Sequence, residues 1–378
     1  MIPFIDLATQ QHRIRSKILK RFEAILDHGQ YIMGPEIVEL EQGLQDFCGA
    51  KHAISCSNGT DALLLAVMAL GASEGDAILC PSFTFAATAE IIPCVGATPI
   101  FVDIDPVTFN MDVDSLKSGI VLAQEKGLNL KGVIAVDLFG LAADYDPIIA
   151  TAREHGMWVI SDSAQGFGAI YKGKRTGSIG DIATTSFFPA KPLGGYGDGG
   201  AVFTNDDELA NILKSLRVHG QGTDKYDNVR IGMNGRLDTL QAAVLIEKLA
   251  LYPEEIDLRQ KVADRYAAGL NGVVETPVVP EGYGSVWAQY TVKLPEGTDR
   301  TAVQAALKEA NVPSAVYYPI PLHQQTAYKH WPSATASLAN TEALAPRVLS
   351  LPMHPYLSED DQNQVIAALK RVLAPVPA

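Results

Sequence analysis

The sequence predicts an α/β protein. A large domain over residues 1–250 carries a mostly parallel sheet covered by helices, and a smaller α+β domain follows over residues 251–378. Three observations carry this. Short β-type runs alternate with helical patterns through the first two thirds of the chain. The pattern changes after "RLDTLQAAVLIEKLALYPEE", where a period-two run and shorter mixed elements take over. With 47% apolar and 19% charged residues, the 378-residue chain has the composition of a compact globular protein with a large core.

The elements follow in order. "HAISCS" reads as a strand, and "NGTDALLLAVMALG" as a helix capped by Asn58 and closed by Gly71. "AILCP", "TPIFVDI", "GVIAVDLFG", "MWVISD", "IATTSFF" and "AVFTN" are the next strands. Between them "DYDPIIATAREHG" is a helix, with Asp144 as cap and Gly156 as stop. Leu237, Leu240, Val244 and Leu251 recur at helical spacing until Pro253 interrupts the pattern. A second helix then carries Leu258, Val262, Tyr266 and Leu270 on one face. "VWAQYTVKL" alternates with period two, "TDRTAVQAALKEANVP" is a capped helix and "SAVYYPI" a strand. "SEDDQNQVIAALKRVL" closes the chain as a helix opened by a capping box from Ser358 to Asp361. No low-complexity linker separates the halves, so the domains are expected to pack closely.

Charge narrows the function. A net charge of −13, spread along the chain, argues against nucleic acid or an anionic membrane as a general partner. The start "MIPFIDLATQQHR" has no basic segment followed by an apolar run, and "LLLAVMAL" is too short to span a bilayer, so a cytoplasmic location is expected. Cys48, Cys56, Cys80 and Cys94 show no C-x-x-C spacing and sit among apolar residues, which reads as reduced core cysteines. The histidines show no H-E-x-x-H spacing, and no metal is expected.

Chemistry concentrates in "SFFPAKPLGGYGDGGAVF". Gly195, Gly197 and Gly200 match G-x-G-x-x-G, but the motif runs into a β-type segment rather than opening a helix, which excludes a dinucleotide fingerprint. The glycines instead give tight backbone beside Lys191. Flanked by Phe187, Phe188 and Pro189, Lys191 is expected to lose solvation and to act as an amine nucleophile. Asp162 in "ISDSAQGFGA" stands at a strand end, where its carboxylate can keep a pyridine nitrogen protonated. Gly59 and Thr60 open a helix with free amides and a hydroxyl, and Ser186 ends a strand five residues before Lys191, so the three can hold a phosphate. A capping aspartate, an ordinary helix cap and a strand-end serine are the separate alternatives. Together the features suit pyridoxal 5′-phosphate.

The order "SNGTDAL", "PSFTFAATAE", "SDSAQGFGA", "SFFPAKPLGGYGDGG", "GMNGRLDTLQAA" and "LPMHPYL" resembles the DegT-type sugar aminotransferases over essentially the whole chain. The resemblance implies the aspartate-aminotransferase fold (fold type I) and a homodimer with the cofactor at its interface. It also implies that Lys191 is the Schiff-base lysine and proton carrier, Asp162 the pyridinium partner, and Gln165 a contact of the ring hydroxyl. Phe85 matches the stacked aromatic, Gly59, Thr60 and Ser186 the phosphate cup, and Asn234 a phosphate ligand from the neighbouring subunit. A lysine at 191, where some relatives carry histidine and act as dehydratases, implies a transaminase.

The segments "FIDL", "HGQYIMGPEIVELE", "FFPAKPLG" and "VYYPIPLH" are most similar to the group that aminates UDP-2-acetamido-2-deoxy-3-oxo-glucuronate, for surface glycans such as the lipopolysaccharide O-antigen. There L-glutamate is the amino donor. Gly29, Tyr31, Arg236, Tyr317 and Tyr318 are then the sugar-nucleotide residues, and a guanidinium at 236 suits a uronate or a phosphate. Tyr317, where that group more often has histidine, and Ala190, where it often has serine, are departures. They leave open a 4-keto-6-deoxy nucleotide sugar as the acceptor.

Overall fold

A computed structural model describes residues 2–224 and 226–374. Helices α1 (Leu7–His28) and α2 (Pro35–Cys48) precede β1 (His52–Cys56), α3 (Gly59–Ala69), β2 (Asp76–Pro81), α4 (Ala87–Cys94) and β3 (Thr98–Val102). Next come α5 (Val113–Glu125), β4 (Asn129–Val136), α6 (Tyr145–Glu154), β5 (Trp158–Asp162), β6 (Ile170–Tyr171), β7 (Lys174–Arg175), β8 (Ile182–Ser186), β9 (Gly200–Thr204) and α7 (Asp207–Leu216). The remainder holds α8 (Thr239–Leu270), β10 (Tyr283–Gly284), β11 (Tyr290–Lys293), α9 (Arg300–Glu309), α10 (Ala339–Leu344), β12 (Val348–Leu351) and α11 (Glu359–Leu373).

Seven strands form the central sheet in the order β1-β9-β8-β5-β4-β2-β3. Neighbours from β8 to β3 are parallel, whereas β9 runs antiparallel to both β1 and β8. Strands β2, β5 and β9 are buried at every residue, as a sheet covered on both faces requires. Alternate residues of β2 serve opposite faces: Ile78 and Cys80 pack with Leu65 and Leu213, while Ala77 and Leu79 pack with Leu116 and Ile148. A separate core gathers Tyr266, Tyr290, Val292, Leu307, Leu351 and Leu369 from α8, α9, α11 and the antiparallel pair β11–β12.

Local caps behave as their chemistry dictates. Asn58 Oδ1 accepts from the Asp61 amide at 2.8 Å, and Ser358 Oγ from the Asp361 amide at 3.1 Å. Asp144, by contrast, makes no cap to α6. Its Oδ1 accepts instead from the hydroxyls of Tyr171 and Tyr283 at 2.8 and 3.0 Å, so tertiary donors outcompete the helix amides.

Three further expectations are corrected. Pro253 does not divide two helices, because α8 runs through it for 32 residues. Val244 and Leu245 are buried before the proline, and Val262, Tyr266 and Leu270 after it in the C-terminal core. Packing on both sides outweighs a proline cost of roughly 3 kcal/mol. Residue 250 lies inside this same helix. The segment "SAVYYPI" is not a strand, since only Ala315 pairs, with Ser350. Pro319 within it and the flanking Pro313 and Pro321 have no amide to donate to a ladder. Finally Cys94 is exposed, although Cys48, Cys56 and Cys80 are buried, and all four are free.

Candidate active site

Strand β5 ends at Asp162, β8 at Ser186, and β1 gives way through Asn58 to α3. These carboxyl ends, with Phe85 from the loop after β2, surround a cavity of about 820 Å³. This is where open α/β sheets place their ligands. Gly59, Thr60, Asp162, Ser186 and Lys191 line it on the sheet side, and Gln165, Phe85, Tyr317 and Tyr318 complete the wall.

The glycine loop places Lys191. After β8 the chain folds back on itself, with Gly195 N donating to Phe187 O at 2.7 Å and Lys191 N to Phe188 O at 2.8 Å. A side chain at Gly194 would put Cβ 2.5 Å from Pro189 O, and one at Gly200 would put it 2.4 Å from Asn58 O. Only glycine permits these approaches. Among the described residues nothing hydrogen-bonds Lys191 Nζ. Burial lowers its pKa from the ordinary lysine value, and the charge of Asp162 works against that shift.

Asp162 is 4% exposed. Its Oδ2 accepts from Thr88 Oγ1 at 2.8 Å and its Oδ1 from the Ala164 amide at 3.2 Å. Burial raises its pKa, while the bonds from Thr88 and Ala164 and the Lys191 charge oppose the rise. Gln165 Oε1 accepts from Phe139 N, and its Nε2 donates to the Tyr318 hydroxyl, both at 2.8 Å. Phe85 is 56% exposed as a cavity wall rather than a core residue, with its ring tilted 6.4 Å from that of Tyr318.

These residues fit pyridoxal phosphate on their own geometry. A buried carboxylate needs a cationic partner, which a protonated ring nitrogen supplies. The unpartnered lysine amine supplies the attachment point. The start of α3 abuts Ser186 so closely that a Cβ on Gly59 would lie 2.6 Å from Ser186 Cβ. Asn58 takes the Asp61 amide, and the amides of Gly59 and Thr60 are left to a phosphate.

The other sequence candidates lie elsewhere. Gly29 ends α1 with φ 69°, and Tyr31 O accepts from Thr239 N at 3.0 Å. Asn234 pairs with Val218 on the segment leading to α8, and Arg236 follows it. None of Gly29, Tyr31, Asn234 and Arg236 lines the cavity. Tyr31 and Asn234 are exposed, and Arg236 is half-buried with its Nε lacking a partner among the described residues. Two cavity residues escaped the sequence reading. Thr88 orients Asp162 from α4, and Gln289, just before β11, lines the cavity from the C-terminal side. Thr88 lies within the quoted "PSFTFAATAE", but nothing local there points to a carboxylate far along the chain.

Comparison with known proteins gives the family. The chain is 50% identical to the "UDP-2-acetamido-2-deoxy-3-oxo-D-glucuronate aminotransferase" of Pseudomonas aeruginosa, over 98% of this chain and 99% of that protein. Among solved structures, a DegT DnrJ EryC1 StrS aminotransferase from Brucella abortus superposes with a TM-score of 0.96 at 47% identity, covering 99% of this chain and 100% of that one. NtdA from Bacillus subtilis, solved with bound cofactor PMP, does so with a TM-score of 0.87 at 30% identity, covering 98% and 83%. The family model for the DegT/DnrJ/EryC1/StrS aminotransferases matches residues 12–370, so the chain belongs to that family.

Proposed function

We propose that this enzyme transfers the amino group of L-glutamate to C3 of UDP-2-acetamido-2-deoxy-3-oxo-glucuronate. The observation that carries the reading is the half-buried Lys191, whose amine has no hydrogen-bond partner among the described residues, in one cavity with the buried Asp162. The substrate rests on the 50% identical Pseudomonas aeruginosa relative, matched end to end.

Bound pyridoxal phosphate supplies an electron sink for the bond cleaved beside the migrating nitrogen. Asp162, oriented by Thr88, holds a proton on the ring nitrogen. Gln165 would contact the ring hydroxyl and Phe85 the ring face, both from the cavity wall. Gly59, Thr60 and Ser186 hold the phosphate. Lys191 anchors the cofactor through Nζ and, when released, carries a proton between the two reacting carbons, a task that its lowered pKa favours. Tyr317 and Tyr318 line the sugar side from the part of the chain beyond residue 250, the smaller of two domains in this reading.

The assembly is a homodimer with shared sites. Asn234 of the partner subunit adds to the phosphate cup, and the partner's Gly29, Tyr31 and Arg236 bind the sugar nucleotide. Supporting this, Tyr31, Ile32, Val229 and Ile231 expose apolar side chains, Ile231 to 87%. We assign the enzyme to the cytoplasm, making amino sugars for surface glycans such as the O-antigen. Among the described residues no helix is long and apolar enough to cross a membrane.

The test is the visible spectrum of the purified holoenzyme before and after L-glutamate, followed by product analysis with the keto-sugar. Bleaching by glutamate and an amine at C3 are expected. A protein that stays colourless with added pyridoxal phosphate overturns the reading, and no product from the 3-oxo sugar beside turnover of a 4-keto-6-deoxy nucleotide sugar replaces the acceptor with the latter.

A further inference from the structure

A second buried carboxylate stands beside Asp162 and has no part in the site described so far. Asp137 follows β4 directly, its amide donates to Asp162 O at 3.0 Å, and it is wholly buried. Its Oδ2 accepts from Ser163 Oγ at 2.5 Å and from Ser161 Oγ at 3.4 Å. Its Oδ1 accepts from the Tyr145 hydroxyl at 2.6 Å and from the Ala143 amide at 3.0 Å. All four donors are neutral. Burial raises the pKa of Asp137 to about 6, and the bonds from Ser163, Tyr145 and Ala143 oppose the rise, so above that value the group is an anion. A buried anion held by neutral donors is costly, and an apolar residue would fill the same space more cheaply.

The serines show what Asp137 holds. Ser161 and Ser163 flank Asp162, and side chains alternate across the sheet. Asp162 meets Thr88 of α4 on one face, and Ser161 meets Tyr145 of α6 on the other. The two serine hydroxyls lie 2.9 Å apart, and both converge on Asp137. Asp162 is the last residue of β5. Ladder bonds there lie in the plane of the sheet and resist little rotation of the chain about its own direction. Side chains anchored on the far face stop that rotation. The turn that follows is seated on the same residue, since a Cβ on Gly166 would lie 2.3 Å from Asp137 Cβ. That turn carries Gln165.

We propose that Asp137 is a positioning residue for the transamination. Through Ser161 and Ser163 it holds the end of β5, and so keeps the Asp162 carboxylate aimed at the cofactor's ring nitrogen. The inference rests on the cofactor reading above. Hydrogen bonds to an ionised acceptor are shorter and stronger than neutral ones, which suits an anchor. An apolar layer is non-directional, and would fix the spacing of strand and helix but not the orientation of the strand end.

The test reads the ring nitrogen itself. The holoenzyme is loaded with pyridoxal phosphate carrying a labelled ring nitrogen and followed by solid-state NMR at about pH 8, where Asp137 is ionised. In wild type that nitrogen is expected to carry a proton. Asp137→Asn keeps the size of the side chain but turns one acceptor oxygen into a donor. It should move the signal toward the unprotonated position and slow bleaching by L-glutamate roughly 10- to 100-fold. Ser163→Ala leaves the Asp137 charge in place and removes the shortest of its bonds, so it should move the signal the same way by less. Where Asp137→Asn does not fold, Ser163→Ala decides alone. A signal that stays put in folded Asp137→Asn overturns the inference, even if Tm falls, because the network then only supports the fold. A shift in Asp137→Asn without one in Ser163→Ala also overturns it, because the charge would then act without the serines. An unprotonated ring nitrogen in wild type overturns the role given to Asp162 in the cofactor reading, and this inference with it.

Discussion

In our reading Asp162 and Asn234 serve the same cofactor, yet their surroundings are opposite. Asp162 is 4% exposed, with both carboxylate oxygens engaged by Thr88 and Ala164. Asn234 is exposed, outside the cavity, on a segment that also carries Arg236. The first must be in place before any ligand arrives, because an ionised carboxylate in a protein interior tolerates no slack. The second can wait for a neighbour. The contrast teaches that a single chain builds the reactive half of the site from strand ends. In our reading, the ligand's outer contacts come from a surface that a second copy brings.

The largest effect should follow from breaking the buried half. Lys191→Ala is expected to lower turnover by roughly 10³-fold or more, since both the anchor and the proton carrier are lost. Borohydride reduction should then add no cofactor mass to the peptide containing residue 191. Retained turnover would end Lys191's role. Breaking the exposed half should cost less: Arg236→Ala is expected to lower kcat/KM for the sugar nucleotide by roughly 10- to 100-fold. The two variants also test the division between them. Co-expressed in equal amounts, they should form mixed dimers with one intact site, recovering about a quarter of the wild-type rate in a two-fold assembly. No recovery would mean that each chain carries its site entire.

What was legible in the sequence follows the range of the interactions involved. The caps at Asn58 and Ser358 span three residues, so the chain displays them locally. The strand ends holding Asp162 and Ser186 follow from short apolar runs whose burial leaves no other reading. Pro253 was misread because the packing on both sides of it comes from distant elements. Asp144 was misread for the same reason, since its partners Tyr171 and Tyr283 are remote in sequence. Within the site, Thr88 and Gln289 were invisible because neither belongs to a motif whose spacing carries chemistry. Thr88 matters only through a carboxylate 74 residues away, and Gln289 only through an atom with no partner among the described residues.

The smallest effect is the most direct measure of how isolated the buried half is. In the cofactor-free protein, burial disfavours the charged amine of Lys191, so it titrates below the ordinary value of 10.5, while Asp162's charge pulls it back up. Between the lowered value and 10.5 the unfolded chain binds more protons than the folded one. Lys191 therefore makes stability rise with pH through that window, and its penalty is fully present below it. Asp162→Asn keeps an oxygen for Thr88 but removes the charge, which should lower the lysine's pKa further. The rate of acetylation at Lys191, followed peptide by peptide against pH, should shift to the acid side in that variant. Arg236→Ala, whose residue lines no part of the cavity, should leave the curve where it is. A curve that does not move would mean that Asp162's charge does not reach the amine. An equal shift in both variants would mean that the exposed segment already acts on the cavity within one chain, and the contrast between the two halves would fall.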